Sequence, residues 1–144
     1  MEQTSFYTYI KLSADDFPLE TVTEYLGVEP TKTWKVGEEV RPNHALKRFY
    51  TCWEYQVGPV QLLDVDDVLN PLYDLFNPKV DVLNELKKQY DLNIKIALVI
   101  EMENGLTPGL VISSAFSRFT SSLDALIDID MYVSPFEENV NEKA

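Results

Sequence analysis

Residues able to do chemistry are sparse in this chain. It has one histidine, His44, and one cysteine, Cys52. A Ser-His-Asp arrangement would have to use His44, which lies in a stretch with no nucleophile motif. A two-histidine metal site within one chain is ruled out. No histidine stands at a spacing that would activate Cys52, so it reads as a small structural residue. Gly105 and Gly109 follow no phosphate-loop pattern. Asp64-Val65-Asp66-Asp67 begins like a calcium loop, but Leu69 stands where such a loop needs glycine and no glutamate closes it. These residues point to no catalytic centre, no metal and no cofactor.

Two groupings remain. Lys32, Lys35, Arg41, His44, Lys47 and Arg48 concentrate positive charge around Trp34. A local basic loop in an acidic chain can hold an anion, which makes Lys32, Trp34, Lys35, Arg41 and His44 the ligand-binding candidates. The competing reading makes Trp34 a lid on the core beside the first helix. The second grouping is Asp128 and Asp130. Two residues apart on a strand, they project from one face about 7 Å from each other. Such a pair can bind a cation or share a proton, with Glu101 or Glu54 beside it if the strands are neighbours. The competing reading is a solvated face with ion pairs to Lys95 or Lys11.

The elements that must position these groups are legible from periodicity. Phe6 to Leu12 alternates, with Phe6, Thr8, Ile10 and Leu12 on one side, as a half-buried strand does. Pro18 suits a first helical turn, Leu19, Val22 and Leu26 share a helical face, and Gly27 is the stop. Pro30 sends the chain out extended toward Trp34. From Lys35 to Lys47 the pattern is lost, which predicts a long loop with room for a short hairpin. Phe49 to Val57 alternates again and Gly58-Pro59 ends it.

Val65, Val68, Leu69, Leu72, Leu75 and Phe76 form a helical stripe in which Pro71 predicts a kink or two helices meeting at Asn70. Asn77-Pro78 predicts a capped start for the next helix, which turns Val82, Leu83, Leu86 and Tyr90 inward. Asn93 to Met102 reads as a central strand. Leu110 to Ile112 could add a short one, Ser113 or Ser114 caps a last helix, and Leu126 to Val133 closes the fold. The expected fold is α+β: a mainly antiparallel sheet with split βαβ or ferredoxin-like elements, helices on one face over the apolar sides of its strands, and a helical insert. Residues 1–134 read as a single domain and 135–144 as a flexible acidic tail.

With 144 residues, 24 Asp and Glu against 12 Lys and Arg, the net charge is −12. That field repels nucleic acid and anionic membranes, and it steers a cationic partner. No apolar run approaches a membrane span and the first residues do not read as a signal peptide. A lone cysteine forms no internal disulfide, so a reducing cytoplasm is the expected compartment.

The stretch Leu26-Gly27-Val28-Glu29-Pro30-Thr31-Lys32-Thr33-Trp34, followed by Lys35-Val36-Gly37-Glu38, by Trp53, and by Ile127-Asp128-Ile129-Asp130-Met131-Tyr132, resembles the bacterial family of domains of unknown function designated DUF4279. The likeness spans nearly the whole chain. It implies a small bacterial α+β protein and brings no activity, cofactor or catalytic residue with it.

The function expected from these residues is a non-catalytic binding or interaction protein, in its sharper form an immunity-type inhibitor of a cationic protein partner. The alternative is a small-molecule or anion-binding protein or enzyme that uses the 32–48 basic loop and the strand aromatics Tyr7, Tyr9, Tyr50 and Tyr132. An uncovered aromatic sheet face would also suit a homodimer.

Overall fold

Strict alternation produces strand β1, Ser5–Ala14, in which Phe6, Thr8, Ile10 and Leu12 are fully buried while Tyr7, Tyr9 and Lys11 on the other face are half-buried. The computed structural model describes residues 4–43, 45–61, 64–103 and 109–134. His44 and the expected tail, 135–144, lie outside the described residues.

Helix α1, Leu19–Leu26, follows, with Pro18 in an extended conformation at its N-cap, outside the first turn where the sequence had put it. Gly27 ends the helix at φ 67° and donates its N–H to the Thr23 carbonyl, a left-handed position that glycine occupies without a Cβ penalty. Strand β2 is short, Lys32–Trp34, and β3 spans Thr51–Val60. Phe49, expected to start β3 on its buried side, precedes the strand and is 83% exposed. The segment between the strands folds back on itself: Val40 N–H donates to Leu46 O at 3.0 Å, and Arg48 N–H to Glu38 O at 2.7 Å. It is therefore a hairpin.

Helix α2, Asp66–Phe76, runs through Pro71 as one helix. Its packing stripe of Val68, Leu69, Leu72 and Phe76 is buried and holds it against the core. A 3₁₀ turn at Asn77–Lys79 links it directly to α3, Val80–Tyr90, so Asn77 ends α2 in helical geometry, its N–H donating to the Tyr73 carbonyl, and is not the N-cap of α3. After β4, Asn93–Met102, the segment Leu110 to Ile112 forms no strand. Helix α4, Ser114–Ser122, begins where Ser113 Oγ accepts the Phe116 N–H at 3.1 Å, and β5, Leu126–Val133, follows.

The sheet order is β2-β3-β1-β4-β5, antiparallel throughout except for the β4–β5 pair. Strands β1 and β2 run the same way with β3 between them, and β3 and β4 do so with β1 between them. These are two interlocked split βαβ units, the ferredoxin-like arrangement, with β5 added at one edge. Helices α1 to α4 cover one face. Val22, Leu72, Phe76, Leu83, Phe116 and Phe119 pack onto Phe6, Ile10, Leu12, Trp53, Ile96 and Ile100 in one core. Within it Trp53 Nε1–H is satisfied by Thr23 Oγ1 at 3.0 Å, and Thr8 Oγ1–H by the Ala97 carbonyl at 2.6 Å.

The helical layer stops short of β5. Ile127, Ile129, Met131 and Val133 sit on the helix side of the sheet, as alternation predicts, yet they are between 38% and 66% exposed and stand outside the core cluster of the described residues. Placing that side under the helices was therefore wrong: β5 is an edge strand beyond their reach.

Strand β3 does not end at Gly58. Phe6 pairs with Val60 and Thr8 with Val57, so Gly58 and Pro59 together face Tyr7 in a bulge. Gly58 has φ +93°, and a Cβ there would stand 2.8 Å from the Phe6 carbonyl oxygen. Gly58→Ala should therefore cost more than the ~1 kcal/mol of an ordinary glycine effect, because both the dihedral and the backbone contact oppose it. Gly109→Ala, whose Cβ meets open space, should be near neutral; urea midpoints of the two variants check the contrast.

Candidate functional site

The helix-free face of the sheet carries the candidate groups, and the register puts them in rows. Lys32, Glu54, Lys11 and Lys95 lie side by side across β2, β3, β1 and β4. Trp34, Cys52, Ser13 and Asn93 form the next row, and Gln56, Tyr9, Ala97 and Asp128 the one on the other side. Asp130 and Tyr132 on β5 stand beside Val99 and Glu101 on β4. Cations thus dominate the β2 corner of the face and carboxylates the β5 corner.

At the β2 corner Trp34 is buried, but on the side away from the helices and outside the main core, so the lid reading was wrong about its place. The Lys11 and Lys32 Nζ atoms stand 5.3 and 5.0 Å from its ring centroid, the Arg48 guanidinium carbon 4.0 Å. Tyr50 packs edge-on at 5.4 Å and its hydroxyl accepts a hydrogen bond from Lys11 Nζ at 2.8 Å. Burial works against the Lys11 ammonium, yet the Tyr50 hydrogen bond, with the fields of Cys52, Tyr50 and Glu54, outweighs it and leaves its pKa raised. A single cation–π contact is worth about 0.5–1 kcal/mol at exposed sites. Repulsion among cations sharing one ring is of that order or larger at the effective dielectric of a protein surface.

Lys35 and Arg41 do not join this group. Lys35 is committed elsewhere: Nζ donates to Asp16 Oδ1 at 2.7 Å and to the Phe17 carbonyl at 2.9 Å. Thr51 Oγ1–H also donates to Asp16 at 2.9 Å, so Lys35 pins the end of β2 to the turn after β1. Arg41 is exposed on the hairpin near Asn43, whose N–H donates to Glu39 Oε2 at 2.8 Å. The hairpin's return brings Arg48 to Trp34, and β1 supplies Lys11. Lys11 was missed as a site residue because nothing in its own sequence neighbourhood marks it; only the cross-strand register does.

Cys52 is fully buried, and burial, with Glu54 next in effect, pushes its thiol up to about 12. A thiol held there is not a nucleophile near neutrality. At the opposite corner Asp128 and Asp130 share a face as expected, and Asp128 pairs with Lys95 at 3.5 Å. Glu101 stands on the neighbouring strand, whereas Glu54 is two strands from β4, too far to join them. Tyr7 and Tyr9 stack at 6.5 Å between the two corners. Burial first, then Glu101, Tyr9, Tyr132 and Asp130, raise the Tyr7 pKa. Among the described residues no cluster of three or more His, Cys, Asp or Glu is arranged to hold a metal.

The family model of a domain of unknown function, DUF4279, matches residues 4–134. The chain belongs to that family. No curated protein and no solved structure matches it. The motif around Trp34 thus lies inside the DUF4279 domain together with every strand of the sheet. No helix of the described residues is long and apolar enough to cross a membrane.

Two measurements check this geometry. The hydrogen bonds from Lys35 and Thr51 lower the Asp16 pKa below its ordinary 3.8, so the contact contributes stability above that pH and loses it as pH falls through the lowered folded value. Lys35→Met should return Asp16 toward the ordinary carboxylate value in a carboxyl NMR titration. Cys52 should resist thiol labelling at pH 8 in the native protein and react in urea, because burial both shields the sulfur and holds its thiol protonated at that pH.

Proposed function

We propose that this chain is a non-catalytic interaction protein, an immunity-type inhibitor that acts in the cytoplasm by capping a cationic protein partner along β5. The observation that carries the reading is the state of that strand. β5 pairs with β4 on one side, and no strand among the described residues covers its other edge. It exposes Ile127, Ile129, Met131 and Val133 on one face and Leu126 and Tyr132 on the other. An open edge flanked by apolar side chains is a template for an added strand, in which main-chain hydrogen bonds supply affinity and alternate side chains supply selectivity. A half-exposed apolar side chain forgoes on the order of 1 kcal/mol that a partner would recover.

Charge selects the partner. The chain carries −12, Asp130 lies on the open strand and Glu101 on the strand beside it. A basic partner gains encounter rate and orientation from that field. A second copy gains neither. Antiparallel pairing of two β5 strands about Ile129 would set Asp128 of one against Asp130 of the other, and like charges directly opposite destabilise a ladder. The heterologous partner is therefore favoured over a homodimer.

A photo-crosslinking amino acid at Met131 should give an adduct with a basic protein in cells that contain the natural partner. The same group at Glu85, exposed on α3, should not, and Ile129→Lys should abolish the adduct with circular dichroism unchanged. Sedimentation should find the purified chain monomeric. Adducts only between copies, or equal labelling from both positions, would overturn the reading.

A further inference from the structure

We infer that the Trp34 corner is an oxyanion site that takes a dianionic phosphate group. It lies at the opposite edge of the sheet from β5, and it stands or falls independently of the interaction reading.

Three observations converge on it. First, three cations from three separate segments meet one ring: Lys11 from β1, Lys32 from β2 and Arg48 from the hairpin's return. The chain has only 12 Lys and Arg against 24 acids, so such a gathering runs against the composition. Second, none of these cations is ion-paired among the described residues, and Lys11 has only the neutral Tyr50 hydroxyl as its hydrogen-bond acceptor. The ion pairs among the described residues are Lys35–Asp16, Lys87–Asp124 and Lys95–Asp128, and none involves Lys11, Lys32 or Arg48. Glu54, between Lys32 and Lys11 in the row, is the carboxylate that faces them. One carboxylate against three cations leaves the corner positive. Third, Trp34 is 93% buried by its 7% exposure, and its Nε1–H is buried with no acceptor among the described residues. Trp53, the other tryptophan, has its acceptor in Thr23. A buried donor without a partner is rare in a folded protein, and here it belongs to the ring that the cations surround.

The donor set matches a phosphate. Arg48 offers a planar fork that binds two oxygens at once, and Lys11 and Lys32 are point charges on flexible stems whose movement would open the buried indole N–H as a further, neutral donor. A monoanion would leave excess positive charge, whereas a dianion balances three cations and one carboxylate. Inorganic phosphate and a phosphomonoester present the same group.

The full chain contains two indole N–H groups, which makes the test internally referenced. In ¹H–¹⁵N NMR at pH 7.5, with ionic strength held constant by sodium chloride, inorganic phosphate and phenyl phosphate are titrated separately to about 20 mM, a range that captures millimolar affinity. The Trp34 indole signal, assigned by its loss in Trp34→Phe, should shift saturably while that of Trp53 stays still. Saturation by inorganic phosphate identifies the free anion as sufficient; saturation by phenyl phosphate alone identifies an esterified ligand. Arg48→Gln and Lys32→Gln, each checked for unchanged circular dichroism, should weaken binding about tenfold. No saturable shift with either probe, equal movement of both indoles, or unchanged affinity in both variants would overturn the site.

Discussion

Strand β1 is hydrogen-bonded along both edges, antiparallel to β3 on one side and to β4 on the other, and the rest of the molecule is set by that double ladder. Because side chains alternate with period two, pairing Ile10 with both Tyr55 and Ile96 puts Phe6, Thr8, Ile10 and Leu12 under the helices all at once. The same register sets Lys11 between Glu54 and Lys95 on the opposite face. A slip by one residue would carry Phe6 and Ile10 into solvent and Lys11 into the core. The cost of that exchange is what holds the outer face in its arrangement.

The two edges of the sheet have different fates for physical reasons. At the β2 edge, the chain leaves a glycine-terminated helix, passes through Pro30 and returns by a hairpin, so it covers its own strand with Arg48 and Tyr50. At the β5 edge the helices run out. Helix α4 buries Phe116 and Phe119, but the helix-side residues of β5 remain half open. A positive aromatic corner and an acidic, apolar strand thus occupy opposite edges of one sheet, and this separation lets each be assigned its own ligand chemistry.

Much of the fold was legible before any coordinates. Alternation in β1, β4 and β5 located the strands, Gly27 stopped the first helix, and Ser113 started the last. The α+β class and the split βαβ arrangement followed from element order. What misled were residues whose local signal was outweighed elsewhere. Phe49 continues the alternation of β3, but the hairpin before it leaves it in solvent. Pro71 should interrupt a helix, but the buried stripe on either side holds α2 together. Gly58-Pro59 should stop a strand, but a bulge lets the ladder resume at Val60. In each case packing across the fold exceeded a preference worth one or a few kcal/mol.

By itself the sequence determined which side chains face the same way: period two and period three-to-four patterns are local consequences of backbone geometry, so they can be read without partners. It also determined that charge is unevenly distributed, with basic residues near Trp34 and carboxylates on the last strand. Tertiary structure alone decided which of those residues meet. Lys11 joins Lys32 and Arg48 at Trp34, Lys35 is drawn away by Asp16, and Asp128 is paired with Lys95, because strand order and register bring together residues far apart in the chain. It also decided that β5 lies beyond the helices, since the extent of a covering layer depends on how all its helices pack.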